Sequence, residues 1–241
     1  LSLAWALYPL DAPVPIPERQ PIDPTILLRQ ETANRRLAQS LHDSQGQLLA
    51  NAIAELDAAL PLVEGPSAVC TGLLGLRQEL QTGLRQLRWL AAELEPPLTL
   101  DTLGLGPTLQ TYAQQFTQQT GLPVRVSGLE RLPSALPSMV QLHVFRIVQE
   151  ALRNAQRHAQ ATEAALTVRE AVAGLELEIS DNGQGFSERL PARGLGLIEM
   201  QDRAEAMGAA LRVRSCPGRG ARVTLGIPSS VLGAAEPPAA D

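Results

Sequence analysis

The sequence predicts a long helical hairpin followed by an α+β domain. Apolar residues recur at helical spacing over residues 25–60 and 67–95, and a Pro/Gly break separates the two runs. From residue 97 onward, helical runs are mixed with short alternating runs and glycine turns, which is typical of an α+β domain. Aromatic residues make up only 3% of the chain, so Leu, Ala and Val must form most of the core.

Residues 1–24 predict a linker, because proline recurs there too often for a helix. The prolines from residue 9 onward are Pro9, Pro13, Pro15, Pro17, Pro21 and Pro24. The first residue is Leu rather than Met, so we expect a fragment that continues an upstream region. No apolar run reaches the roughly 20 residues that span a bilayer. We therefore expect a cytoplasmic catalytic portion whose only membrane attachment is through that upstream region.

Residues 25–96 predict the hairpin itself. Leucines in the second helix alternate by three and four, as in a coiled-coil seam. The seam consists of Leu73, Leu76, Leu80, Leu87, Leu90 and Leu94. In the first helix, the apolar residues at helical spacing are Leu37, Leu41, Leu48, Leu49, Ala52, Ile53, Leu56 and Leu60. One hairpin leaves a wide apolar stripe uncovered, and two hairpins paired as a four-helix bundle would cover it. We therefore expect a homodimer.

Residues 97–228 predict the second domain, after a Gly/Pro/Leu connection over 98–107. The predicted helices are 108–119, 137–159 and 195–207, and the predicted strands are 122–126, 162–169, 175–180, 211–214 and 221–227. Helices on one face of a mixed sheet fit this order. The Ala/Pro-rich residues 229–241 predict a disordered tail.

Composition excludes several classes of protein. The formal net charge is −5, which gives no basic footprint, so we expect no direct contact with nucleic acid. All 20 cationic residues are Arg. Cys70 and Cys216 are far apart and fit no metal-ligand spacing, which indicates a reducing compartment.

Polar residues share one face of the predicted helix at 137–159. Glu150 and Asn154 are four residues apart, so they lie one turn from each other, and Arg157 and His158 follow on the next turn. A carboxylate, an amide and a cation on one face suit a metal–phosphate group, with Asn154 as an oxygen ligand of Mg²⁺ and Glu150 as a proton acceptor or a holder of a metal-bound water. A solvated helix face is the competing interpretation of this helix alone.

Two glycine-containing turns follow that helix. Asp181-Asn-Gly183-Gln-Gly185 comes directly after a strand, where an Asp can accept from an amino group and glycines let the backbone approach a flat ring. Gly194-Leu-Gly196-Leu197 precedes a helix and presents free N–H groups to phosphate. Neither turn is a P-loop, since no Gly-Lys-Ser/Thr is present.

These three pieces, in this order, resemble the GHKL ATPase fold of gyrase, Hsp90, histidine kinases and MutL. The residues 200–208 and 217–220 resemble its histidine-kinase branch. The resemblance implies a two-layer sandwich in which Asp181 holds the adenine amino group, assisted by Gly183 and Gly185. It further implies that Gly194, Gly196 and Leu197 bracket the phosphates of ATP, that Arg157 or His158 contacts them, and that Asn154 ligates Mg²⁺ with Glu150 as the general base.

The helical half then resembles the NarL/DegS-type sensor histidine kinases, in which a HisKA_3 dimerisation and phosphoacceptor domain precedes the ATPase domain. The matching residues are Leu37-Ala38-x-x-Leu41-His42-Asp43-x-x-x-Gln47. The resemblance implies autophosphorylation of His42 from Mg·ATP and transfer to an Asp of a response regulator with a LuxR-type DNA-binding domain. Asp43 is expected to orient the imidazole and take its proton, and Gln47 to orient a water for phosphatase activity.

Three positions depart from the family pattern. Gln39 and Ser40 replace the usual Arg and Glu before the histidine, and Ala221 replaces a Thr near the adenine end. These departures keep two alternatives open: a GHKL-fold ATPase or ATP-gated dimeric module without phosphotransfer, and a structural coiled-coil dimer with a degenerate nucleotide site. For His42, the competing role is an unreactive residue on the flank of the coiled coil.

Overall fold

The computed structural model describes residues 24–63, 68–186 and 195–233. These residues form two compact units that divide between Pro97 and Leu98, one residue after the boundary that the sequence predicts. The first unit is a helical hairpin and the second is an α+β domain.

The hairpin consists of two long helical arms. The first arm contains α1 (Pro24–Ser40), a π-helical segment (Leu41–Gly46) and α2 (Gln47–Ala59), and it ends in a 3₁₀ turn at Leu60–Leu62. The second arm is α3 (Ala68–Leu94). The π-helical segment and α2 both pack on α3, and an ion pair between Asp57 and Arg77 joins the arms.

The π-helical segment keeps one face of the first arm buried. Ala38 and Gly46 are buried and Leu41 is partly buried, so the buried positions advance by three residues and then by five. An α-helical face advances by three or four, and the wider π turn accommodates the additional residue. The Ser44 hydroxyl donates to the carbonyl of Ser40 at 2.7 Å within this turn. The sequence analysis did not predict this interruption.

None of the leucines of the predicted seam, or of those from Leu37 to Leu60 in the first helix, is fully buried within one chain, and four of them are exposed. α2 has no buried residue, and Leu37 and Leu48 are 51% and 64% exposed. Leu76 and Leu90 on α3 are 46% and 49% exposed. The hairpin therefore retains the apolar stripe that its sequence predicts.

The second unit contains a five-stranded sheet and its helices. Its elements are α4 (Thr99–Leu103), α5 (Leu105–Thr120), β1 (Val124–Ser127), a 3₁₀ turn (Leu129–Arg131), α6 (Ser138–His158), β2 (Ala164–Ala171), β3 (Gly174–Asp181), α7 (Leu195–Ala206), β4 (Ala210–Ser215), β5 (Ala221–Pro228) and α8 (Ser229–Leu232). The strand order is β1-β2-β3-β5-β4; β1 is parallel to β2 and the other pairs are antiparallel. This arrangement confirms the predicted mixed sheet.

The core lies between the sheet and α5, α6 and α7. Each of these helices contacts a strand, and α6 also packs against both other helices. Tyr112 of α5 meets Phe145 of α6 edge-on, with ring centroids 5.2 Å apart. Leu166, Leu177 and Leu225 are fully buried on neighbouring strands. This core fixes α6 against the sheet and thereby places the predicted polar face of α6 beside the ends of the strands.

Two segments differ from the sequence prediction. α4 occupies part of the predicted loop 98–107, and Gly104, at φ +83°, separates it from α5. α8 covers the first residues of the predicted disordered tail. The N–H of Ser229 donates to the carbonyl of Ala173 at 2.8 Å, so the pairing of β3 with β5 continues one residue beyond β5 and holds α8 there. No helix within the described ranges is long and apolar enough to span a membrane.

Candidate nucleotide site and phosphoacceptor helix

A cavity of about 570 Å³ lies in the second unit among α6, the loop after β3, the first turn of α7 and the strands β4 and β5. This volume is within the range of cofactor-sized pockets. Eight predicted site residues line it: Glu150, Asn154, Arg157, His158, Asp181, Gly185, Gly196 and Leu197. Gly183 lies in the same loop without lining the cavity, and Gly194 falls outside the described residues.

One wall of the cavity is an apolar row that crosses three strands. Ile179 pairs with Val223, and Val223 pairs with Val213. All three side chains line the cavity, and Asp181 ends the strand that carries Ile179. An apolar surface beside a single hydrogen-bond acceptor suits a flat heteroaromatic ring with an exocyclic amino group.

Asp181 is 7% exposed and is held by the main chain. Its Oδ1 accepts the N–H of Gly183 at 2.8 Å. Burial raises the pKa of the carboxyl above 3.8, while hydrogen bonds from the N–H groups of Gly183 and Ala221 oppose that rise. Ala221 also lines the cavity, so a methyl group stands where the family resemblance implies a threonine hydroxyl.

Two left-handed glycines let the loop after β3 and the turn between β4 and β5 approach closely. Gly185 has φ +59° and a Cβ there would overlap the carbonyl of Cys216. Gly220 has φ +75° and a Cβ there would overlap the carbonyl of Asp181. Ser215 spans the same gap, because its hydroxyl accepts from the N–H of Phe186 and donates to the carbonyl of Gly220, both at 2.9 Å.

Gln184 connects the loop after β3 to the end of α6. Its N–H donates to the carbonyl of Ala159 at 2.7 Å, and its side-chain amide donates to the carbonyl of His158 at 2.7 Å. Its own carbonyl accepts the N–H of Gly218 at 2.6 Å. Helix ends leave carbonyls without intrahelical donors, so Gln184 serves as a tertiary cap of α6.

The polar face of α6 lines the opposite side of the cavity. Glu150 accepts a hydrogen bond from Arg153 at 2.5 Å, Asn154 is partly buried, and Arg157 and His158 are exposed at the helix end. Mg²⁺ usually takes one or two protein oxygens together with phosphate oxygens. On α6, Asn154 and Glu150 are the residues lining the cavity whose side-chain oxygens could bind Mg²⁺ in this way. Across the described residues, no group of three His, Cys, Asp or Glu side chains could hold a metal by itself.

The predicted phosphoacceptor helix lies in the other unit. His42 and Asp43 both fall in the π-helical segment and both are exposed. No hydrogen bond joins their side chains within the described part of the chain. Gln47 begins α2, and its amide donates to Oδ1 of Asn51 at 2.9 Å. π-helical turns are rare in proteins, and a large share of those that occur lie at functional sites.

Several cavity residues were not predicted from the sequence. They are Arg153, Gln184, Phe186, Val213 and Val223. Arg153 is only one position from the predicted face of α6, and Val213 and Val223 alternate inward on strands that were predicted. The helical and strand periods in the sequence could therefore have indicated Arg153, Val213 and Val223. The contacts of Gln184 depend on tertiary packing and leave no mark in the local sequence.

Two family models match successive parts of the chain. Residues 34–99 match the HisKA_3 model, described as histidine kinase. Residues 139–231 match HATPase_c, described as the histidine kinase-, DNA gyrase B- and HSP90-like ATPase. The first match contains His42, and the second contains every residue that lines the cavity on α6.

The chain is similar to two curated bacterial proteins. It is 30% identical over 214 residues to the signal transduction histidine-protein kinase/phosphatase DegS of Brevibacillus brevis, covering 88% of this chain and 55% of DegS. It is 29% identical over 220 residues to the nitrate/nitrite sensor protein NarX of Escherichia coli (strain K12), covering 90% of this chain and 36% of NarX. The chain thus spans about half or less of the length of these relatives.

Among solved structures, the chain resembles the histidine kinase domain of the blue-light activated histidine kinase EL346 from Erythrobacter litoralis. The TM-score is 0.47 at 22% identity, covering 74% of this chain and 97% of that chain. With the HisKA_3 match, the HATPase_c match and both curated relatives in agreement, the chain belongs to the sensor histidine kinases of the NarL/DegS type.

Proposed function

We propose that this chain is the catalytic core of a two-component sensor histidine kinase. It transfers the γ-phosphoryl group of ATP to His42 and then to an Asp of a response regulator. The observation that carries the proposal is the presence, in one chain, of an exposed histidine on a dimerisation-type helix and a separate cavity lined by Glu150, Asn154 and Asp181. The family matches on both halves support it.

The first step joins His42 to the γ-phosphorus of ATP. A bond forms from an imidazole nitrogen to phosphorus, the bond from phosphorus to the bridging oxygen breaks, and ADP leaves with the electron pair. Because this transfer releases one proton, we assign Asp43 to orient the ring and to accept that proton. Glu150 is assigned to hold a metal-bound water within the cavity. Asn154 would hold Mg²⁺, which offsets charge on the phosphates when it is bound. In the second step, the phosphoryl group passes from nitrogen to an aspartate oxygen of the partner.

The active form is proposed to be a homodimer. The exposed stripe of Leu37, Leu48, Leu76 and Leu90 supports this, because a single hairpin leaves four large apolar side chains about half or more exposed. Sedimentation equilibrium is expected to give twice the chain mass of 25.8 kDa. Leu48→Glu should shift the protein toward the monomer, whereas Glu55→Gln on an exposed position of the same helix should not. A monomeric wild type would contradict the dimer.

The partner is proposed to be a receiver domain of a NarL/LuxR-type response regulator, and the core acts on it in the cytoplasm. Gln47 is proposed to support dephosphorylation of that partner. It is exposed and lies five residues after His42, with its amide fixed by Asn51. Gln47→Ala should slow partner dephosphorylation while leaving autophosphorylation near normal. Unchanged phosphatase activity would remove Gln47 from this role.

Incubation with γ-labelled ATP and Mg²⁺ tests the kinase proposal. The wild type is expected to take up acid-labile, base-stable label, and His42→Gln should lose it. His158→Gln is the matched control, because His158 is another exposed histidine, at the nucleotide cavity. Its product, if labelled at all, must still carry label on His42. An unlabelled wild type that hydrolyses ATP would favour the alternative ATPase or ATP-gated module.

A further inference from the structure

Arg153 lies in the nucleotide cavity and contacts Glu150 directly. Its Nη2 donates to Oε2 of Glu150 at 2.5 Å. The two residues are three apart on α6, so their side chains share a face, and the acidic residue lies toward the helix N-terminus. The side chains are 31% and 17% exposed, so bulk water screens this pair less than a surface ion pair.

The second carboxylate oxygen of Glu150 is also confined. A Cβ placed on Gly196 would overlap Oε1 of Glu150, so this oxygen lies against the backbone of the first turn of α7. The carboxylate is therefore held between the guanidinium of Arg153 and the main chain at Gly196. A glutamate side chain without such partners populates several rotamers, whereas this one has a defined position beside the cavity.

Arg157 differs from Arg153 in this respect. It lies one turn further along α6, it also lines the cavity, and it is exposed. The described residues include no ion-pair partner for it. Arg157 is therefore available for a phosphate oxygen, while the guanidinium of Arg153 is directed at Glu150.

We infer that Arg153 is a positioning residue for phosphoryl transfer, which holds the Glu150 carboxylate in its working orientation and does not itself bind the phosphates. This inference rests on the proposed function, in which Glu150 acts within the cavity. Small displacements of a catalytic group lower the rate steeply, because the reacting atoms must be aligned. Loss of Arg153 should therefore affect the rate of transfer more than the binding of ATP.

The test compares Arg153→Ala, Arg153→Lys and Arg157→Ala in the full chain. Autophosphorylation is followed at saturating Mg·ATP, and the Kd of a non-hydrolysable ATP analogue is measured by calorimetry. Arg153→Ala should lower the saturated rate about tenfold and change Kd less than about twofold. Arg157→Ala should do the opposite, with a raised Kd. A raised Kd with an unchanged saturated rate in Arg153→Ala would overturn the inference, because Arg153 would then be a phosphate ligand.

A second comparison separates positioning from general support of the fold. In a Glu150→Gln background, Arg153→Ala should cause little further loss, because its effect passes through Glu150. Independent, multiplying losses would contradict the inference. If Glu150→Gln is too slow to follow, Arg153→Lys must retain more activity than Arg153→Met, and equal rates would contradict it. A wild type without label refutes the kinase proposal instead, and ATP hydrolysis by the same variants then decides the role of Arg153.

Discussion

The side-chain amide of Gln184 donates to the carbonyl of His158 at 2.7 Å and joins the loop after β3 to the end of α6. Asp181 lies in that loop and Asn154 lies on that helix. The two elements supply the proposed adenine-side and metal-side residues, so this bond helps to hold the two ends of the nucleotide site together.

Gln184→Ala is expected to lower the free energy of unfolding by about 1 kcal/mol, the net value of one hydrogen bond. It should also weaken binding of an ATP analogue several-fold, because the two ends of the site are less rigidly connected. Gln201→Ala is the matched control, since Gln201 donates to Glu205 at 2.7 Å on an exposed face of α7. Urea unfolding and calorimetry measure both effects. Equal analogue affinity in the two variants would refute the link.

A comparison of Gly220→Ala with Gly218→Ala distinguishes two costs: the cost of a left-handed backbone conformation and the cost of a steric overlap. Both glycines have positive φ, +75° and +78°, in the same turn between β4 and β5. A Cβ at Gly218 meets nothing within 4 Å, whereas one at Gly220 overlaps the carbonyl of Asp181. Gly218→Ala should cost about 1 kcal/mol of stability. Gly220→Ala should cost clearly more and should reduce analogue affinity at least tenfold.

The pH dependence of stability should contain a contribution from Asp181. Burial raises the pKa of this carboxyl in the folded chain above its value of 3.8 in the unfolded chain, so the folded state binds the proton more tightly. This contribution stabilises the domain at acid pH and is lost as pH rises from about 3.8 through the folded pKa. Asp181→Asn lacks the ionisation. The unfolding free energy of the wild type minus that of Asp181→Asn should therefore fall from pH 4 to pH 7 in urea titrations. A difference that rises with pH would show that the main-chain hydrogen bonds outweigh burial.

Deletion of Gln45 tests the π-helical segment. The buried positions Leu41 and Gly46 are five apart, and removal of one residue makes the step four, which suits an α-helix. The deleted chain should keep its helix content by circular dichroism and remain a dimer. Autophosphorylation should fall at least tenfold, because the turn that presents His42 is changed. Deletion of Ala54 in α2 is the control, since it rotates the following residues by about 100° and should unfold the hairpin. If the two deletions reduced the helix content equally, the π-helical segment would not contain an extra residue that can be removed.

The sheet and the three helices that cover it could be predicted because apolar residues recur in each element with the period of a strand or a helix. The alternation in β2, β3 and β5 and the apolar stripe of α6 define their buried faces, and Gly121 and Gly208 mark the ends of α5 and α7. The polar face of α6 followed from the same period. The period predicts that Glu150 and Asn154 share this face, whereas Asp181 was assigned to the same site through the family resemblance.

Features that depend on tertiary packing could not be predicted in this way. The sequence Leu41–Gly46 contains no proline that would mark a break, and only the buried positions on either side show that one extra residue is accommodated. The ion pair of Arg153 with Glu150 depends on a side-chain orientation, and an Arg one position from the polar face also fits a solvated surface. α4 is five residues long, too short for any period to be recognised.

The peptide groups of Gln184 and Gly218 provide a way to observe the cavity walls separately. The N–H of Gln184 donates to the carbonyl of Ala159 at the end of α6, and the N–H of Gly218 donates to the carbonyl of Gln184 in the loop after β3. Each proton can exchange with deuterium only when those two elements separate. The two amides are therefore site-specific reporters: slower exchange on addition of nucleotide at both would show that the ligand draws the helix, the loop and the strand turn together as one unit.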